Sequence, residues 1–136
     1  MDNLQNEIMQ SRKAADFITR PRKSRKPADS QMNYILSKFG NADAATTTVE
    51  DFATNPGNYG FTQVGFKDAK PGDIYVLNEN GVPMEALLST GTDAEGQPLF
   101  DWVDWTKHDK LITNKRYDYP HHLTEDIVTV FRQNKR

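Results

Sequence analysis

The chain has 136 residues, a formal net charge of -2, 36% hydrophobic and 26% charged residues, and no cysteine. That length suits one domain. The missing cysteine excludes disulfides, thiolate metal sites and thiol nucleophiles. A mean hydropathy of -0.78 and the lack of any apolar run near the roughly 18 residues of a spanning helix exclude a helical membrane segment.

The opening residues, MDNLQNEIMQ, are too polar for a signal peptide, so a soluble protein made without Sec-type export is expected. Across residues 3–19, Leu4, Ile8, Met9, Ala15, Phe17 and Ile18 follow a loose helical spacing that predicts a helix ending at Arg20-Pro21. The next stretch, PRKSRKPADS, carries Arg22, Lys23, Arg25 and Lys26 between Pro21 and Pro27, and reads as an arm that cannot pack into a core. Residues 1–40 hold eight Lys/Arg against four Asp/Glu, a balance of +4, whereas residues 41–136 hold nine against fifteen, a balance of -6. A basic arm over 1–27 is therefore joined to an acidic domain over 28–136.

Met32, Ile35, Leu36 and Phe39 fall at i, i+3, i+4 and i+7, one apolar stripe of a helix with Asp29 or Ser30 as cap and Gly40 as stop. Thr48-Val49-Glu50-Asp51 reads as a capping box opening a short helix that Asn55-Pro56-Gly57 ends. Strands follow. Ile74-Tyr75-Val76-Leu77 leaves the turn Lys70-Pro71-Gly72-Asp73, Asn80-Gly81 marks a hairpin, and Ala86-Leu87-Leu88 continues it. Pro98 to Val103 forms a third strand, residues 104–120 read as a long polar loop, and Ile127 to Phe131 closes the chain as a β-branched strand. Helices first and strands later predict an α+β fold, with N-terminal helices packed on a small antiparallel sheet.

The ordered series DAKPGDIYVL, a hairpin, MEALLSTG, a glycine turn, PLFDWVDW, a Tyr-Pro pair and VTVFR resembles the papain-like cell-wall amidases of the CHAP and NlpC type, over roughly residues 28–133. That resemblance implies a cysteine on the helix QMNYILSKFG and a histidine opening the second strand. An aromatic residue three places after the nucleophile, here Tyr34, puts the cysteine position at Gln31, and Glu85 stands before Ala86 where the histidine belongs. Glutamine is not a nucleophile, and a carboxylate with nothing to activate cleaves no amide. Ser30 lies about 100° away round the helix axis and is read as a cap.

The resemblance thus implies a degenerate papain-like domain without the catalytic pair or a cofactor. Such domains are found in phage tail and baseplate proteins, including those of crAss-like phages. They imply a non-catalytic structural component of a virion, in the tail or head–tail region, assembled in the host cytoplasm. The expected partners are other virion proteins in a symmetric oligomer, with no membrane contact. Partner binding is expected from Arg12, Lys13, Phe17, Ile18, Arg20, Arg22, Lys23, Arg25 and Lys26, and from Trp102 and Trp105 as candidate hot spots against a reading of core packing. Two alternatives stand beside this reading. One is an active amidase or endopeptidase with a non-cysteine site near Glu85 and His121 or His122. The other is a nucleic-acid-binding module acting through the arm.

No metal site is expected. His121 and His122, adjacent in an extended segment, would face opposite ways, and His108 stands apart from them. Asp101, Asp104, Asp109 and Asp118 lack calcium-loop spacing and read as a solvated acidic face.

Overall fold

A computed structural model describes residues 27–40, 47–104 and 110–134. Helix α1 spans Pro27–Ser37. It begins one residue before the expected domain boundary, because proline at the first helical position lacks only an N–H that would be unbonded there anyway. Asp29 and Ser30 therefore sit inside the first turn and are not its cap. Asp29 is buried, and its carboxylate accepts the backbone N–H of Val49 at 2.8 Å, tying the start of the next helix to α1. Gly40, at a φ of 72°, turns the chain out of α1 as expected.

Helix α2 spans Val49–Thr54, with Thr48 as its cap accepting the Asp51 N–H at 3.1 Å. The capping box is only half closed. The Asp51 carboxylate accepts from Asn55 at 3.2 Å and from the hydroxyl of Tyr59 and does not reach back to the cap.

The strands are β1 (Phe61–Val64), β2 (Ile74–Glu79), β3 (Val82–Thr92), β4 (Pro98–Asp104), β5 (Lys110–Lys115) and β6 (Val128–Gln133). Among the described residues they form one antiparallel sheet in the order β1-β6-β2-β3-β4-β5. The fold is α+β, as the order of elements predicts. Asn80 and Gly81, at φ of 54° and 79°, form the two-residue hairpin between β2 and β3 with the left-handed pair that matches strand twist. β3 is longer than the Ala86–Leu88 core read from the sequence. The region expected to be a polar loop over 104–120 contains β5, which pairs Val103 with Leu111 and Trp102 with Ile112. As an edge strand it buries no face of its own, so KLITNK carries no hydrophobic alternation to announce it.

Side-chain alternation divides the sheet into two packed faces. Ile74, Val76, Ala86, Leu88 and Phe131 meet Met32, Ile35 and Leu36 of α1 and Val49 and Phe52 of α2. Phe52 packs edge-on against Phe61 and Phe131 at 5.3 and 5.0 Å, and burial of each such ring is worth roughly 1.5–3 kcal/mol. On the far face Tyr75, Leu77, Leu87, Phe100, Trp102, Val128 and Val130 form a second cluster with Tyr117, joined by Phe66, Leu123 and Ile127 from the connecting segments.

The closing strand lies inside the sheet, between β1 and β2. Arg132 on it donates to both carboxylate oxygens of Asp73, at 2.9 and 2.8 Å, and to the carbonyl of Asp68 at 2.8 Å. Asp73, 2% exposed, also accepts the Lys70 N–H at 2.8 Å. The Pro-Gly-Asp turn and the Phe-Arg end of the chain are thus one locked corner.

Candidate functional site

In the β3–β4 ladder, Leu88 faces Asp101 and Ser89 faces Phe100. Continued by two residues, the same register would set Ala86 opposite Val103. The carboxamide of Gln31 stands there instead: its Oε1 accepts the Ala86 N–H at 2.8 Å and its Nε2 donates to the Val103 carbonyl at 2.7 Å. A side-chain amide carries the same donor and acceptor as a peptide, so Gln31 extends the ladder from above, fully buried at the first turns of α1. Its Nε2 also lies 3.3 Å from Glu85 Oε2. The two positions paired through the amidase resemblance are therefore in contact.

Glu85 is half-buried on the opposite, cleft side of the sheet, and Tyr117 donates its hydroxyl to Glu85 Oε1. Loss of hydration on burial pushes the Glu85 carboxyl up to about 7; the Gln31 hydrogen bond opposes this rise, while the Asp104 and Asp118 carboxylates add to it.

Glu85 forms one wall of a cleft of about 510 Å³, bounded by Leu77, Asn78, Glu79 and Met84 from the β2–β3 hairpin, Trp102 and Asp104 from β4, and Tyr117, Asp118, Tyr119, His122 and Ile127 from the segment between β5 and β6. Volume and mixed lining fall within the range of small-ligand or peptide pockets. Tyr117 meets Trp102 edge-on at 5.6 Å and Tyr119 at 5.7 Å, and Tyr119 stacks on His122 at 5.7 Å, so an aromatic ladder leads from the core to the rim.

Trp102, 3% exposed, packs in the second core cluster and contributes to the floor of this cleft. His121 and His122 do not alternate on an extended segment. A 3-10 turn at Pro120–His122 brings their rings to 4.3 Å, and only His122 lines the cleft. The acidic series is not uniformly solvated either. Asp101 is 6% exposed, accepts the Asn114 N–H at 2.7 Å and faces Lys38 Nζ at 3.6 Å, while Asp104 is buried and Asp118 exposed in the cleft. Among the described residues no three metal-ligating side chains converge.

Arg12, Lys13, Phe17, Ile18, Arg20, Arg22, Lys23, Arg25, Lys26, Trp105, His108 and Asp109, with the helix read over 3–19, lie outside the described residues. Tyr117, Tyr119, Met84 and Asn78 are cleft residues that the sequence reading did not select; the Tyr-x-Tyr-Pro string at 117–120 was the available signal.

Chemically, the cleft holds carboxylates and aromatic rings but no Ser, Thr or Lys among its described lining residues. A carboxylate near neutrality can accept a proton from water. The Gln31 side chain, at the position that the amidase resemblance would give to a nucleophile, is an amide held by backbone on both sides. No protein-family model, curated protein or solved structure matches the chain.

Proposed function

We propose that residues 28–136 form a papain-like amidase domain without catalysis, serving as an assembly component of a phage particle in its tail or head–tail region. The observation that carries this reading is the position of Gln31. Where the amidase pattern has its thiol, this chain has a strut whose oxygen and nitrogen are both held by backbone of β3 and β4. Its partner Glu85 replaces the imidazole and bonds to Gln31 and Tyr117. The helix-before-sheet order and the Asp73–Arg132 corner support the papain-like comparison. The place in a virion rests on the sequence resemblance and on the basic arm.

The test is a turbidity assay of the full chain on purified peptidoglycan. No clearing is expected. Clearing that disappears in Glu85→Ala would overturn the reading in favour of a hydrolase, the alternative that the shared cleft of Glu85 and His122 favours. The nucleic-acid alternative makes a different demand: salt-sensitive retention on DNA that is lost when residues 1–27 are removed.

A further inference from the structure

The cleft has a consistent sign. Glu79, Glu85, Asp104 and Asp118 line it, and no Lys or Arg does so among the described residues. Asp104 and Asp118 stand near enough to Glu85 to add to the upward push that burial chiefly gives its carboxyl. Aromatic rings complete it, and the faces of tyrosine and tryptophan attract cations. At the mouth Met84 and Tyr119 are 41% and 52% exposed, two of the larger apolar surfaces left open. Carboxylates within an aromatic frame, bordered by exposed apolar side chains, suit a guanidinium or ammonium group carried on an extended peptide.

The same chain carries the complementary segment. Five of the seven residues from Arg20 to Lys26 are basic. We propose that the cleft receives this segment from a second copy of the chain, with an arginine or lysine side chain seated among the cleft carboxylates and its stem against Met84 and Tyr119. The proposal rests on the reading of the arm as an assembly element and gives that arm its receptor.

The second copy is favoured over the same chain by topology. Residue 26 leads directly into α1, which packs on the helix-covered face, whereas the cleft opens among the residues of the far face. No linker residues separate Lys26 from the first residue of α1, Pro27, so the tether restricts how the segment can lie along its own cleft. An arm from a neighbour carries no such restriction, and a head-to-tail contact of this kind closes into a ring or runs on as a filament.

The experiment is sedimentation of three full-length proteins. These are the natural chain, an arm-reversed variant (Arg22→Glu with Lys23→Glu and Arg25→Glu) and a cleft-reversed variant (Glu79→Lys with Asp118→Lys), whose changes at Glu79 and Asp118 fall on exposed positions. The natural chain is expected to self-associate with rising concentration at low salt, and less at high salt. Each variant alone should associate at least tenfold more weakly, and mixing the two should restore association, since each supplies what the other has lost. A natural chain that stays monomeric throughout overturns the proposal, as do variants that associate normally or a mixture that stays apart. Occupancy by the chain's own arm would appear as a concentration-independent monomer. Because no peptidoglycan enters this assay, its failure leaves the non-catalytic reading standing, and clearing in the turbidity assay would sink that reading alone.

Discussion

The Gln31 carboxamide lies 2.7 Å from the carbonyl of Val103, a residue 72 positions further along the chain, and in doing so it takes the place of a peptide group between two strands. A buried backbone donor and acceptor without partners each cost about 1–3 kcal/mol. Gln31→Leu, which fills the space but bonds neither Ala86 nor Val103, is therefore expected to lower the unfolding free energy by about 3 kcal/mol in a urea titration. Gln31→Glu should also destabilise, because a carboxylate supplies no donor for Val103 and brings a second negative charge to Glu85.

Glu85 makes stability depend on pH in a stated direction. Its carboxyl rises from 4.5 to about 7 on folding, chiefly through burial. The folded state thus holds this proton more tightly than the unfolded chain. The resulting stabilisation is complete below 4.5 and is lost as pH rises through about 7. Its size is on the order of 2–3 kcal/mol between the two limits. Glu85→Gln, which keeps the shape of the neutral acid, is expected to match the natural protein at pH 5 and to exceed it in stability at about pH 8. Thermal melts across that range check the sign, and a Glu85→Gln chain with an unchanged pH profile would remove Glu85 as the cause.

Asp73 and Arg132 join two ends of the domain that are 59 positions apart. Asp73→Ala leaves the guanidinium without its bidentate partner and the Lys70 N–H without its acceptor. Because the Arg132 side chain is 35% exposed, water compensates part of the loss, and about 2 kcal/mol of destabilisation is expected, below that of a fully buried pair. Arg132→Lys should recover only part of the natural stability, since an ammonium cannot match both oxygens. A double-mutant cycle with Arg132→Gln measures the coupling directly.

What the sequence made legible follows from where the physical signal was local. The stripe Met32, Ile35, Leu36 and the Asn80-Gly81 hairpin each depend on spacing or on a backbone conformation and stand as read, whereas Phe39, the fourth residue of the expected stripe, lies past the helix end at Ser37 and packs on the core from the turn. β5 was illegible because an edge strand with no buried face leaves no period. Tyr117 and Tyr119 were missed with it, and Asp118 was read only as part of a solvated acidic face, since the cleft they line is assembled from segments distant in the chain. Gln31 was visible as a position but not as a strut: its task is set by the Ala86 and Val103 backbone, which no side-chain pattern encodes.

The central claim is that Gln31 and Glu85 occupy the places of a thiol and an imidazole. Its most direct test is the pH dependence of alkylation in Gln31→Cys and in the same chain with Glu85→His added. In the double variant the introduced thiol should react with an apparent pKa below the ordinary value of about 8.5, because an imidazolium stabilises the thiolate. In the single variant the neighbouring carboxylate should hold it at or above that value. Identical profiles in the two proteins would contradict the account, because the two positions would then touch without forming the geometry of a catalytic pair.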